Sequence, residues 1–97
     1  MHIEKVYSAT AAGNSPSYFP QMKFDEDGVV QIAHNTAGLT VSIQGRLSPS
    51  LGWVTLRLDA AGLTASTTSG YYLVPLFPEM RASVTGASGN VDVFIGD

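Results

Sequence analysis

Apolar and polar residues alternate with a period of two in several stretches of this chain, and no stretch follows the helical period of 3.6. Between positions 39 and 47, Leu39, Val41, Ile43 and Leu47 fall on one side, and Thr40, Ser42, Gln44 and Arg46 on the other. Successive side chains of a strand point to opposite faces of a sheet, so this stretch predicts a strand with one dry and one wet face. Gly45 stands in the apolar register and predicts a bulge or a close approach by another backbone. Ser48-Pro49-Ser50-Leu51-Gly52 carries turn chemistry, after which Val54, Leu56 and Leu58 alternate with Thr55 and Arg57. These two runs predict an antiparallel hairpin of residues 39–47 with residues 53–58.

The same reading extends to both ends. Residues 3–7 predict a first strand with imperfect alternation. Residues 8–20 are rich in Ala, Ser, Gly and Pro without periodicity, and predict an extended arm or long loop. Loops of that length are uncommon in compact domains unless they work. Asp25-Glu26-Asp27-Gly28 predicts a turn between strands at 22–24 and 29–33, since Asp-Gly suits the positive φ angles of a type I′ turn. Residues 34–38 form the next turn. Residues 59–70 are small, and Ala-Gly-Leu-Thr-Ala-Ser at 61–66 echoes Ala-Gly-Leu-Thr-Val-Ser at 37–42, as recurrent turn-to-strand chemistry does. Residues 71–77 form an apolar run broken by Pro75, which lacks a ladder donor and so predicts an edge strand or a bend at Pro75. Residues 80–85 and 90–95 alternate on either side of Gly86-Ala87-Ser88-Gly89 and predict a second hairpin. The sum is an all-β chain: an antiparallel, jelly-roll-like β-sandwich of about seven to eight short strands. Its predicted core is Val41, Ile43, Leu56, Leu58, Val84, Val91, Val93 and Ile32.

At 97 residues this is one domain, residues 1–97, with 8–20 as its arm or loop. Charged residues make up only 13%, against roughly 25% in ordinary soluble domains. A surface of Ser, Thr, Gly and Ala suits burial against other protein, because charge is depleted at interface cores. The net charge of −3 and five scattered basic residues give no footprint for nucleic acid. No apolar run approaches the length that crosses a bilayer, and no cysteine is present for a disulfide or thiolate site.

Candidate chemistry is sparse. His2 and His34 lie in no metal-binding spacing, and His34 reads as a turn residue. Asp25-Glu26-Asp27-Gly28 lacks the later oxygen ligands of a calcium loop. No serine or threonine has a recognisable base and orienting group, so no catalytic residue, metal ligand or cofactor is predicted, and the chain is expected not to be an enzyme. Glu79 and Arg81 stand two apart on one strand and predict a surface ion pair. Two aromatic groups remain. Tyr18 and Phe19, followed by Pro20, must either pack on the core, one of them plugging an end of the sandwich, or touch a partner, and the partner contact at the end of the arm is the expectation. Trp53, with Tyr71 or Tyr72, could instead form a flat platform for a sugar ring.

From Val74 to Gly96 the chain runs through a proline-containing strand, Arg81-Ala82-Ser83-Val84, the turn Thr85-Gly86-Ala87-Ser88-Gly89 and a short alternating strand. This order resembles the C-terminal end of small β-sandwich virion proteins of tailed bacteriophages. Ser42-Ile43-Gln44-Gly45-Arg46-Leu47 and Gly52-Trp53-Val54-Thr55-Leu56 resemble the hairpin that often precedes it. Residues 1–38 carry none of the likeness. The resemblance implies a capsid decoration (cement) protein or another head or tail component, found in the virion and assembled in the host cytoplasm. Its expected partners are the major capsid protein or other virion proteins, and copies of itself, a trimer being favoured. Nucleic acid and membrane are not expected partners. The group shares a scaffold and not a site, so no functional residue is carried over. The alternative is a carbohydrate-binding β-sandwich module using Trp53 with Tyr71 or Tyr72.

Overall fold

A computed structural model describes residues 3–10, 12–21, 27–34, 37–59, 70–86 and 89–97. They form eight strands: β1 (Ile3–Ala9), β2 (Gly13–Asn14), β3 (Asp27–His34), β4 (Leu39–Arg46), β5 (Val54–Thr55), β6 (Gly70–Pro75), β7 (Glu79–Gly86) and β8 (Val91–Gly96). Two four-stranded sheets result, sheet A in the order β1-β8-β3-β6 and sheet B in the order β2-β7-β4-β5, and every pairing is antiparallel. The pairs β1·β8, β2·β7, β3·β6 and β4·β5 are those of a long ribbon folded at the β4–β5 tip and rolled up. That is the jelly roll, and the predicted all-β sandwich class holds.

The alternation of β4 fixes its register. Leu39, Val41 and Ile43 are fully buried, while Thr40, Ser42 and Gln44 look outward. A slip of one residue would exchange the two sets and lose about 2 kcal/mol for each apolar side chain, or about 6 kcal/mol in all. That rivals the whole stability of a small domain, about 5–15 kcal/mol. Every residue of the predicted core is buried, joined by Tyr18, Val30, Leu39, Val74, Leu76, Met80, Ala82 and Ile95. The imperfect alternation of β1 has a cause: its register against β8 shifts between Lys5 and Tyr7, leaving Val6 as a bulge.

The β4–β5 hairpin forms as predicted but is short, pairing Gln44 with Thr55 and Gly45 with Val54. The strand ends at Arg46, and Leu47 is exposed. Beyond β5 the chain crosses the open side of the sandwich: Leu56 N donates to Ile43 O in sheet B, and Asp59 N to Leu73 O in sheet A. Asp59 makes this corner with φ 60°, and its carboxylate accepts the Leu73 N–H. Gly45 interrupts no register. It gives room to Phe77, whose Cβ and Cγ would lie 2.8 and 2.9 Å from an added Cβ, so the close neighbour is a side chain and not a backbone.

Two predicted turns and pairings are corrected. The second hairpin does not exist: β7 pairs with β4 and β2 in sheet B, and β8 with β1 and β3 in sheet A. Strand β7 therefore ends in sheet B at Gly86, and β8 begins in sheet A at Val91. Asp27 and Gly28 are not turn residues; they pair with Pro75 and Val74 inside the sheet. There Gly28 is needed for space, since a Cβ would sit 2.6 Å from Gly96 O. His34 likewise ends β3 instead of lying in the turn. The strand predicted at 22–24 and the echo at 61–66 lie outside the described residues.

Candidate functional site

The two sheets present outer faces of opposite character. On sheet B the register sets out polar rows: Glu79 beside Arg46, Arg81 beside Gln44 and Thr55, Ser83 beside Ser42 and Asn14, and Thr85 beside Thr40. Arg46 grips Glu79 with two hydrogen bonds, Nε to Oε1 and Nη2 to Oε2, both 2.9 Å. The Ser17 hydroxyl donates to Oε2 as well. Glu79 is consequently buried although it faces outward. The indole of Trp53 lies against the guanidinium groups of both Arg46 and Arg81, 4.3 and 4.4 Å from the ring centroid.

The predicted Glu79–Arg81 pair is therefore replaced by Glu79–Arg46, because antiparallel neighbours stand directly opposite while i and i+2 on one strand stand apart. The Arg46 guanidinium, and after it the Ser17 hydroxyl, hold the Glu79 carboxyl below the usual carboxylate range against the push of its burial. A depressed folded-state pKa stabilises above the unfolded value of about 4.3, and that share is lost as pH falls through the folded value. Between about pH 5 and pH 3 the melting temperature should thus fall more steeply for the natural chain than for Glu79→Gln. Parallel curves from calorimetry would show that the pair contributes nothing.

On sheet A the outer face carries an apolar band at one end. One row, Ile3, Gly96, Val29 and Leu73, crosses all four strands, and the next holds Lys5, Phe94, Gln31 and Tyr71. Tyr71 is 77% exposed, Ile3 64% and Leu73 51%. Lys5 lies over Phe94, its Nζ 5.5 Å from the ring centroid. Four strands spaced ~4.8 Å and two rows ~6.8 Å apart cover on the order of 300 Å2. Lys5 and Gln31 take part of that area, and the remainder is apolar surface of the kind that is often functional when contiguous.

This band has contributions from both ends and the middle of the chain, so the local pattern did not reveal it. Its signal was available only as breaks in alternation: Ile3, Phe94, Leu73 and Tyr71 are apolar at outward positions.

The residues predicted for contact are not placed alike. The segment from Gly13 to Tyr18 runs along the free edge of β7: Gly13 pairs with Val84, Ser15 exchanges hydrogen bonds with Ala82, and Tyr18 with Met80. It is a broken edge strand and not a free arm. Tyr18 is buried in the core, and its hydroxyl donates to Asp97 Oδ2 at 2.8 Å. Phe19 is 64% exposed, and Pro20 is half-buried. Of the three, Phe19 alone offers a ring to a partner.

The sugar platform is likewise not assembled. Trp53 serves the outer face of sheet B, Tyr71 the outer face of sheet A, and Tyr72 packs against the core. Among the described residues no group of three or more His, Cys, Asp or Glu could hold a metal ion.

No protein-family model matches the chain, and no curated protein does. Among solved structures, the crystal structure of the SPBc2 prophage-derived protein YomS is similar in fold, with a TM-score of 0.74 over 97% of this chain and 88% of that one, at 12% sequence identity.

Proposed function

We propose that this chain is a non-enzymatic structural protein of a tailed-bacteriophage particle, a capsid decoration protein that packs the outer face of sheet A against the major capsid protein and self-associates. The observation that carries the reading is the apolar band through Ile3, Val29, Leu73, Phe94 and Tyr71, where Ile3, Val29, Gln31, Phe94 and Gly96 line a small, largely apolar hollow. A protein that reinforces a shell works by burying such surface against its neighbours, and repetition over a lattice multiplies weak contacts by avidity. The fold likeness to a prophage-derived protein and the low charge support the same reading. Eight-stranded jelly rolls recur in viral capsid and lectin domains, although a fold alone does not set function.

The test is made on phage particles induced from the source cells and purified by density gradient. Mass spectrometry should find the chain in the particles at a copy number comparable with the capsid protein. The variant Tyr71→Asp/Leu73→Asp should fold and remain in the unbound fraction. Absence of the natural chain from the particles, or unimpaired attachment of the variant, overturns the proposal.

A further inference from the structure

Arg81 stands on the opposite face, and its surroundings point away from a purely structural part. It projects from the central strand β7 on the outer face of sheet B, half-buried. Its Nε donates to Gln44 Oε1 at 2.7 Å, and its guanidinium lies 4.4 Å from the Trp53 ring centroid. These contacts settle the position and the plane of the group. They leave Nη1 and Nη2 without a hydrogen-bond partner among the described residues. The nearest acid in register, Glu79, has both oxygens taken by Arg46 and one shared with Ser17. Along the β4–β7 ladder, Arg46 and Arg81 against Glu79 leave a net charge of +1 in a chain whose net charge is −3. Its other outward residues around Arg81, namely Thr55, Ser42, Ser83 and Asn14, are neutral hydrogen-bonding groups.

We infer that Arg81 is a preorganised fork for a carboxylate, and that its natural ligand is an acidic side chain of a protein segment laid across sheet B. A guanidinium held at Nε and stacked on an aromatic ring presents its terminal N–H groups in the fixed geometry that a carboxylate accepts bidentately. One uncompensated charge matches a monoanion, whereas a phosphate monoester brings nearly two charges and calls for more cations than this face has. The surrounding hydroxyls and amide can bond the backbone of the docked segment. The indole lies against both guanidinium groups and so takes part in holding the fork. This inference is independent of the role proposed for sheet A, since it concerns another face and other residues.

Trp53 is the chain's one tryptophan, so its fluorescence reports on the fork directly. The probes are a capped pentapeptide with two glutamates, the same peptide with glutamines, and sodium glucuronate, each at constant ionic strength. The glutamate peptide should give a saturable change in Trp53 emission together with a shift of the Arg81 Nε–H resonance. The glutamine peptide should bind about tenfold more weakly or worse, as should the glutamate peptide to Arg81→Lys, which keeps the charge and loses the fork. An unchanged melting temperature for Arg81→Lys separates loss of binding from loss of fold. The inference is overturned by no saturable response to the glutamate peptide, by equal responses to the two peptides, by undiminished binding to Arg81→Lys, or by glucuronate binding more tightly than the peptide.

Discussion

Tyr18→Ala should remove about 3–5 kcal/mol of unfolding free energy, whereas Phe19→Ala, one residue on, should change it by less than about 0.5 kcal/mol. The two aromatic rings are neighbours in the chain but differ in where the fold puts them and in the hydroxyl that only Tyr18 carries. Tyr18 is 5% exposed and is locked by a reciprocal pair of backbone bonds to Met80, N to O at 2.7 Å and O from N at 2.8 Å. Its ring fills the core at the margin of sheet B, and its hydroxyl meets Asp97 Oδ2, which also accepts the Gln21 N–H at 2.6 Å. Truncation leaves a cavity and takes a donor from a buried carboxylate, and both effects act against the folded state.

Tyr18→Phe isolates the second effect and should cost about 1–3 kcal/mol. Burial first, then the hydrogen bond and charge of Asp97, raise the phenol's pKa well above its ordinary value, so the donor persists at any neutral pH. At about 4–8 °C per kcal/mol for a domain of this size, Tyr18→Ala should melt at least ~12 °C lower. Calorimetry of the three variants checks this, and a Tyr18→Ala curve that overlays that of Phe19→Ala would mean that the segment from Gly13 to Tyr18 is not docked on β7. The same docking predicts that deleting residues 8–17 uncovers the edge of sheet B, where a free arm could be lost without harm.

Gly86→Ala should be nearly as damaging, at about 2–6 kcal/mol, through the backbone alone. Gly86 closes the β4–β7 ladder opposite Leu39 with φ 95°, in the region that favours glycine. A Cβ there would lie 2.1 Å from Gly38 O, and a carbonyl in a tight turn cannot swing aside as a flexible side chain can. The strained φ contributes about 1–3 kcal/mol and the forced shift of the turn about as much again. Gly52→Ala is the control: nothing lies within 4 Å of its added Cβ, and its stability should stay within about 0.5 kcal/mol of the natural chain. Denaturant titration should show a lower midpoint at an unchanged slope for Gly86→Ala. Equal midpoints for the two variants would remove the turn at Gly38 as a rigid element.

What the sequence determined by itself is the face each residue takes within its own strand. Val41, Ile43, Val84, Val91 and Val93 were readable as core because side-chain direction alternates with a fixed period along any strand, whatever the strand pairs with. The missing donor of Pro75 narrowed β6 to an edge position or a bend, and the sheet order decided for the edge. Pairing is not local. The runs at 80–85 and 90–95 had the look of a hairpin, yet in the rolled ribbon β7 pairs with β2 and β8 with β1, and successive pairs enter different sheets.

Everything about the candidate sites followed from that pairing. Only the β4–β7 ladder could give Glu79 to Arg46 and leave Arg81 open, and only the order β1-β8-β3-β6 could bring Ile3, Val29, Leu73 and Phe94 into one band. Tyr18 and Phe19 were equivalent until Met80 and Asp97 were in place to take one of them. Alternation sets which residues can face outward, and the closing of long-range pairs decides which of them meet.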